Sequence, residues 1–117
     1  MLPIFDTMKK ISLYQYKDEN ISVDISAYFE NGNLVIDGYD IGKRVEELTG
    51  DSDYEYRMKI SEKDLGLFCA QIGTGIEAGE AAILERMAMI FNINTCFSEI
   101  GSILRQSDIP FEYFSWR

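Results

Sequence analysis

The chain has 117 residues, a length suited to one domain, and 46% of them are hydrophobic, which favours a packed core over disorder. Its 20 acidic and 11 basic residues give a formal net charge of -9, a field that repels phosphate backbones and anionic lipid, so neither nucleic acid nor a membrane is expected as a partner. Histidine is absent, which excludes imidazole metal sites, Ser–His and Cys–His nucleophile pairs and histidine acid–base chemistry.

Residues 1–7 (MLPIFDT) precede Met8-Lys9-Lys10 and are expected to be a loosely held tail of a single domain spanning 1–117. Residues 10–17 (KISLYQYK) alternate weakly and predict a first strand, one suited to a sheet edge. Residues 20–29 alternate cleanly, with Ile21, Val23, Ile25, Ala27 and Phe29 on one face and Ser22, Asp24 and Ser26 on the other. Asn31-Gly32 follows, the favoured pair for a type I′ turn, and residues 33–39 should return as a third strand. Asp40 is expected to cap a short helix in which Ile41, Val45 and Leu48 share a face and Gly50 ends the helix. Residues 54–60 alternate again and predict a fourth strand.

The second half reads as helical. Ser61-Glu62-Lys63-Asp64 resembles a capping box ahead of a helix with Leu65, Phe68, Cys69 and Ile72 on one face and Gly73 at its end. Thr74 with Glu77 suggests a second box, opening a long helix to about Phe91 with Ala78, Ala82, Met87, Ile90 and Phe91. Asn94 is read as the cap of a last helix carrying Phe97, Ile100, Ile103 and Leu104, and Pro110 stops it. Residues 111–116 close the chain as a strand, one face of which is expected in the core. The order βββαβαααβ predicts an α+β fold with helices on one face of a mainly antiparallel sheet. Cys69 and Cys96 fall in apolar helical patterns and are expected to be free thiols acting as small hydrophobes. There is no signal-peptide pattern and no apolar run of membrane-spanning length, so a cytoplasmic location is expected.

The stretch 51–62 (DSDYEYRMKISE) places Asp51, Asp53, Glu55 and Glu62 at four of the ligand positions of an EF-hand loop. The loop's turn-forming glycine is here Tyr56 and its ninth position is Lys59, while the alternation of residues 54–60 requires extended chain. No metal is therefore expected. Residues 73–79 (GTGIEAG) imitate a dinucleotide-binding signature, but a predicted helix, not a strand, precedes them, and no cofactor is expected either. No catalytic residue is assigned. Asp37, Asp40 and Glu55 are the acids whose convergence would allow carboxylate chemistry or magnesium binding. The aromatic run of residues 111–116, with Trp116, is the sequence's one candidate binding cluster.

Three segments together, residues 34–42 (LVIDGYDIG), 51–60 (DSDYEYRMKI) and 109–116 (IPFEYFSW), resemble the landmarks of small uncharacterised bacterial proteins. These share a G-x-D-x-G after a strand, a Tyr-Glu-Tyr strand and an aromatic C-terminal strand. The resemblance implies a bacterial origin and no particular activity. Tyr39 stands where that pattern has a polar residue before the aspartate. The size and acidity are also similar to those of immunity proteins. Three functional readings follow. The first is a non-enzymatic acidic interaction protein, immunity-like towards a basic protein partner, with its surface around Asp37, Tyr39, Asp40, Asp51, Asp53, Glu55 and Trp116. The second is a small carboxylate-dependent enzyme or a metal or small-molecule binder. The third is a self-associating domain forming a homo-oligomer.

Overall fold

A computed structural model describes residues 9–116; the tail expected at residues 1–7 lies outside them. Five strands form one antiparallel meander in the order β1 (Lys10–Lys17), β2 (Ser22–Glu30), β3 (Asn33–Ile41), β4 (Asp53–Ile60) and β5 (Glu112–Trp116), so β1 and β5 are the edges. Helix α1 (Lys43–Thr49) joins β3 to β4, and α2 (Leu65–Gln71), α3 (Glu80–Ile90) and α4 (Cys96–Gln106) lie between β4 and β5. The expected order of elements and the α+β class are both found.

The Asn31-Gly32 turn sets the register of β2 on β3. Both residues adopt positive φ (53° and 82°), as a type I′ turn requires, and Glu30 pairs with Asn33 directly beyond it. Every later pair follows, down to Ser22 with Ile41. In β1 the register shifts between Ser12 and Tyr14, a bulge that opposes two residues to one. Leu13 and Tyr14 consequently both join the core side, which is why the alternation of this strand is weak.

The helices cover one face. Ile25, Ala27 and Phe29 of β2, Leu34 and Ile36 of β3, and Met58 and Ile60 of β4 form the sheet side of the core. Leu65, Phe68 and Cys69 of α2, Ile83, Leu84 and Met87 of α3, and Ile100 and Leu104 of α4 form the helix side. Both cysteines are free and buried, and burial pushes the Cys96 thiol up to about 11. They are packing residues, as expected. Among the described residues, no helix is long and apolar enough to cross a membrane.

Several local expectations are corrected. Asp40 caps no helix: β3 is paired on both sides through Ile41, and the chain leaves the sheet only at Gly42. There φ is 134°, and a β-carbon would meet the Asn20 carbonyl oxygen at 2.5 Å. Helix α1 then starts at Lys43, with Val45 buried but Leu48 75% exposed and Ile41 outside the helix. Neither Ser61 nor Thr74 forms a side-chain cap. Residues Glu62–Asp64 make a 3-10 turn, and α3 opens six residues after Thr74, following a second 3-10 turn. The buried face of α3 runs through Ile83, Leu84, Met87 and Phe91, while Ile90 is exposed. Thr95, not Asn94, precedes α4, again without a side-chain cap. The closing strand buries neither face: all of β5 is exposed at the sheet edge, although Tyr113 meets Phe97 of α4 with ring centroids 6.1 Å apart, and the apolar anchors of that segment are Ile109 and Phe111 instead.

The correction within α1 is measurable. Val45→Ala should lower stability by about 1–2 kcal/mol in urea unfolding, and Leu48→Ala should stay within about 0.5 kcal/mol of wild type. Equal losses would show that Leu48 packs as Val45 does.

Candidate functional site

Strand alternation separates the residues singled out above. Odd positions of β3 and β4 and even positions of β2 and β5 point away from the helices. Register then aligns them across the outer face. One row runs Ser12, Ser26, Asp37, Arg57, Phe114; the next runs Gln15, Asp24, Tyr39, Glu55, Trp116. Asp37, Tyr39, Glu55 and Trp116 are thus brought together, with Lys10, Asp24, Ser26 and Arg57, around an open cleft of about 340 Å³.

Asp37 and Arg57 anchor this face. The Arg57 guanidinium donates from Nε to Asp37 Oδ1 at 2.6 Å and from Nη2 to Oδ2 at 3.2 Å, a two-pronged pair that needs the planar fork of arginine. The Trp116 ring lies 5.8 Å from the Arg57 guanidinium carbon, within cation–π range. At the far end of the face Tyr39 Oη donates to Asp53 Oδ2 at 3.2 Å. Asp24 and Glu55 make no hydrogen bond or ion pair among the described residues, so their charges face solvent. On β2 to β4, in the half of the face away from the hairpin turn, Asp24, Asp37, Asp53 and Glu55 meet one cation, Arg57. Arg57 was not among the residues expected from sequence. Its alternation with Glu55 and Lys59 places it on this face, but its pairing with Asp37 depends on the β3–β4 register, for which there is no local signal.

Asp40 lies on the opposite face, so Asp37, Asp40 and Glu55 do not converge. Its Oδ1 accepts a hydrogen bond from Tyr56 Oη at 2.7 Å. Tyr56 reaches it by laying its ring across Gly38, its partner in β4–β3 register. A β-carbon on Gly38 would fall within 2.5 Å of three ring atoms, so only glycine admits this crossing. Phe97 of α4 meets the same ring edge-on, centroids 4.7 Å apart. Burial holds the Asp40 carboxyl above its ordinary 3.8, with the Tyr56 hydroxyl pulling the other way. Burial, and then the bond to Asp40, push the Tyr56 hydroxyl upward.

The acids of the EF-hand-like stretch are separated. Asp51 sits in the turn before β4, Asp53 and Glu55 point outward from that strand, and Glu62 lies beyond its other end, roughly 30 Å from Asp53 at 3.3 Å per residue. No group of three metal-ligating side chains occurs among the described residues. The glycines of residues 73–79 follow helix α2, with Gly73 ending it, and do not form a strand-to-helix phosphate loop.

Comparison with protein-family models, curated proteins and solved structures gives no match for this chain. Function is therefore read from the site.

The environment of Asp40 has a pH signature. A carboxyl raised in the folded state destabilises that state when ionised and stops doing so as pH falls through its folded value. Asp40→Asn, which keeps an acceptor for Tyr56, should be more stable than wild type at neutral pH. That difference should shrink on acidification towards 3.8, Asp40's ordinary value. Parallel stability curves for the two proteins would contradict the assignment.

Proposed function

We propose that the protein is a non-enzymatic interaction module whose outer sheet face binds a basic protein partner, in the manner of an immunity protein. The observation that supports it most is the unpaired acidity of that face. Among the described residues Asp24 and Glu55 have no hydrogen bond or ion pair, and they flank Tyr39 in one row that ends at Trp116. Carboxylates around exposed aromatic rings suit lysine and arginine side chains, through charge and through cation–π contact. The net charge of -9 steers a basic partner towards the molecule and speeds encounter. Aromatic and apolar side chains extend the surface: Trp116 and Phe114 are each 44% exposed, and Ile41 is exposed beside Asp53.

Copurification from the native host tests this reading when a charge-reversed pair is run beside wild type. Asp24→Lys with Glu55→Lys should weaken capture of a basic protein at least about tenfold, since each reversal sets like charges against the partner. Glu80→Lys with Glu85→Lys on α3 changes net charge equally and should retain capture. Wild-type capture should fall as salt rises. Equal loss in both pairs would reduce the effect to net charge and remove the outer face from the interface.

A second reading, cytoplasmic self-association through β5, is supported by its open backbone edge and by Tyr113, 53% exposed on the side opposite Phe114 and Trp116. Sedimentation at rising concentration separates the two. A dimer dispersed by a proline at Ser115, whose N–H points away from β4 along the open edge, would favour the edge; a monomer throughout would remove it.

A further inference from the structure

On the helix side of the sheet, at the end the helices leave uncovered, a cleft of about 480 Å³ is lined by Tyr14, Tyr16, Val23, Asp40 and Tyr56, among others, with Asp18 and Arg44 also in its wall. Its floor is a cross-strand row, Tyr16, Val23, Asp40, set by pairing on both sides of β2. Asp40 is the unusual member. It sits on a sheet face that is otherwise mostly apolar, and it is half-buried. Among the described residues its single hydrogen bond comes from the uncharged Tyr56 hydroxyl, which leaves Oδ2 open to solvent. The one ion pair among the described residues, Arg57 with Asp37, is on the other face. Arg44 at the rim acts on Asp18, which also accepts the Tyr16 hydroxyl at 2.7 Å, and it forms no ion pair with Asp40.

A half-buried carboxylate without a countercharge is costly to keep, and the residues around it hold it rigidly. Gly38 lets the Tyr56 ring cross β3, Phe97 braces that ring edge-on, and the hydroxyl fixes one carboxylate oxygen. The second oxygen is left for an outside donor. We infer that this cleft binds an organic ammonium group, its charge set against Asp40 and its alkyl part against Val23 and the rings of Tyr14, Tyr16 and Tyr56. An anion would meet Asp40 unfavourably. A neutral apolar ligand would cut Asp40 Oδ2 off from water and offer it no donor. An alkylammonium supplies a donor, a countercharge and methylene groups in the order in which the cleft presents its acceptor and rings. The site is separate from the outer face and holds whether or not that face binds a protein.

Two sources share this chemistry, a small free amine and the side chain of a lysine in another chain. The test is an NMR titration following the ring resonances of Tyr14, Tyr16 and Tyr56, with Trp116 as a reporter on the opposite face. The probes are n-butylammonium, a capped Gly-Lys-Gly peptide, and butyrate as the anionic control. At least one of the two ammonium probes should shift the three tyrosines and leave Trp116 in place. Asp40→Asn, which retains the Tyr56 acceptor, should weaken the effect at least about tenfold. Tighter binding of n-butylammonium identifies a small-molecule site, and tighter binding of the peptide identifies a lysine of a partner. The inference is overturned if neither ammonium probe shifts the tyrosines, if butyrate does so equally, or if binding survives in Asp40→Asn.

Discussion

A sheet has two faces, and the three helices that follow β4 all stand on one of them. This one-sided cover organises the rest of the molecule. The covered face selects apolar residues at every second position of β2, β3 and β4, and there the core is continuous. The outer face is held by cross-strand pairs compatible with water: Ser26 with Asp37, Asp37 with Arg57, Tyr39 with Glu55. A partly exposed ion pair such as Asp37–Arg57 contributes about 1 kcal/mol or less to stability, so its main consequence is geometric. It holds the Arg57 guanidinium close to the sheet, near Trp116. The neighbouring carboxylates Asp24 and Glu55 are left to solvent.

The cover is also incomplete along the strands. An α-helix rises 1.5 Å per residue, so the 11 residues of α3 or α4 span about 16 Å. The nine residues of β2 or β3 span about 30 Å at 3.3 Å per residue. Helices of this length cannot shield the whole face, and the shortfall appears where Tyr16, Val23 and Asp40 line up. Tyr56 stands at the boundary. Its ring packs on Phe97, inside the covered zone, and its hydroxyl ends at Asp40, in the uncovered one. Gly38 makes that bridge possible, because any side chain there would occupy the space of the ring.

Where a local signal specifies backbone geometry, the sequence was a sufficient guide. Asn31-Gly32 specifies a two-residue turn, and with it the pairing of Ser26 with Asp37 and of Asp24 with Tyr39. Alternation in residues 54–60 placed Glu55 and Arg57 on one face. No turn connects β3 to β4 directly, since α1 intervenes, so the register that joins Arg57 to Asp37 could not be read. The helix caps were misread for a related reason. Asp40, Ser61 and Thr74 are capping residue types, but strand pairing holds Asp40 extended, Ser61 precedes a 3-10 turn without a side-chain bond, and Thr74 lies in the loop before another. For Asp40 the strand won, and a residue read as a cap became a carboxylate facing a cleft. The bulge in β1 left its mark in plain view as weak alternation, which by itself cannot be told from a poor strand.

Both proposed sites are written in the same seven residues, Val35 to Ile41. Asp37 and Tyr39 point outward, while Gly38 and Asp40 point towards the helices, because successive side chains of a strand alternate. β3 is the centre of the sheet and is hydrogen-bonded on both sides over nearly its whole length. Such a strand resists displacement, so it suits the exact placing of side chains better than it suits switching between two arrangements. An occupant of one face can therefore act on the other chiefly through charge, since Asp37 and Asp40 are only three residues apart. A cation at Asp40 would soften the negative field that, in the proposed reading, would draw a basic partner to the outer face. The two sites would then compete weakly through their shared field, with no movement of the backbone between them.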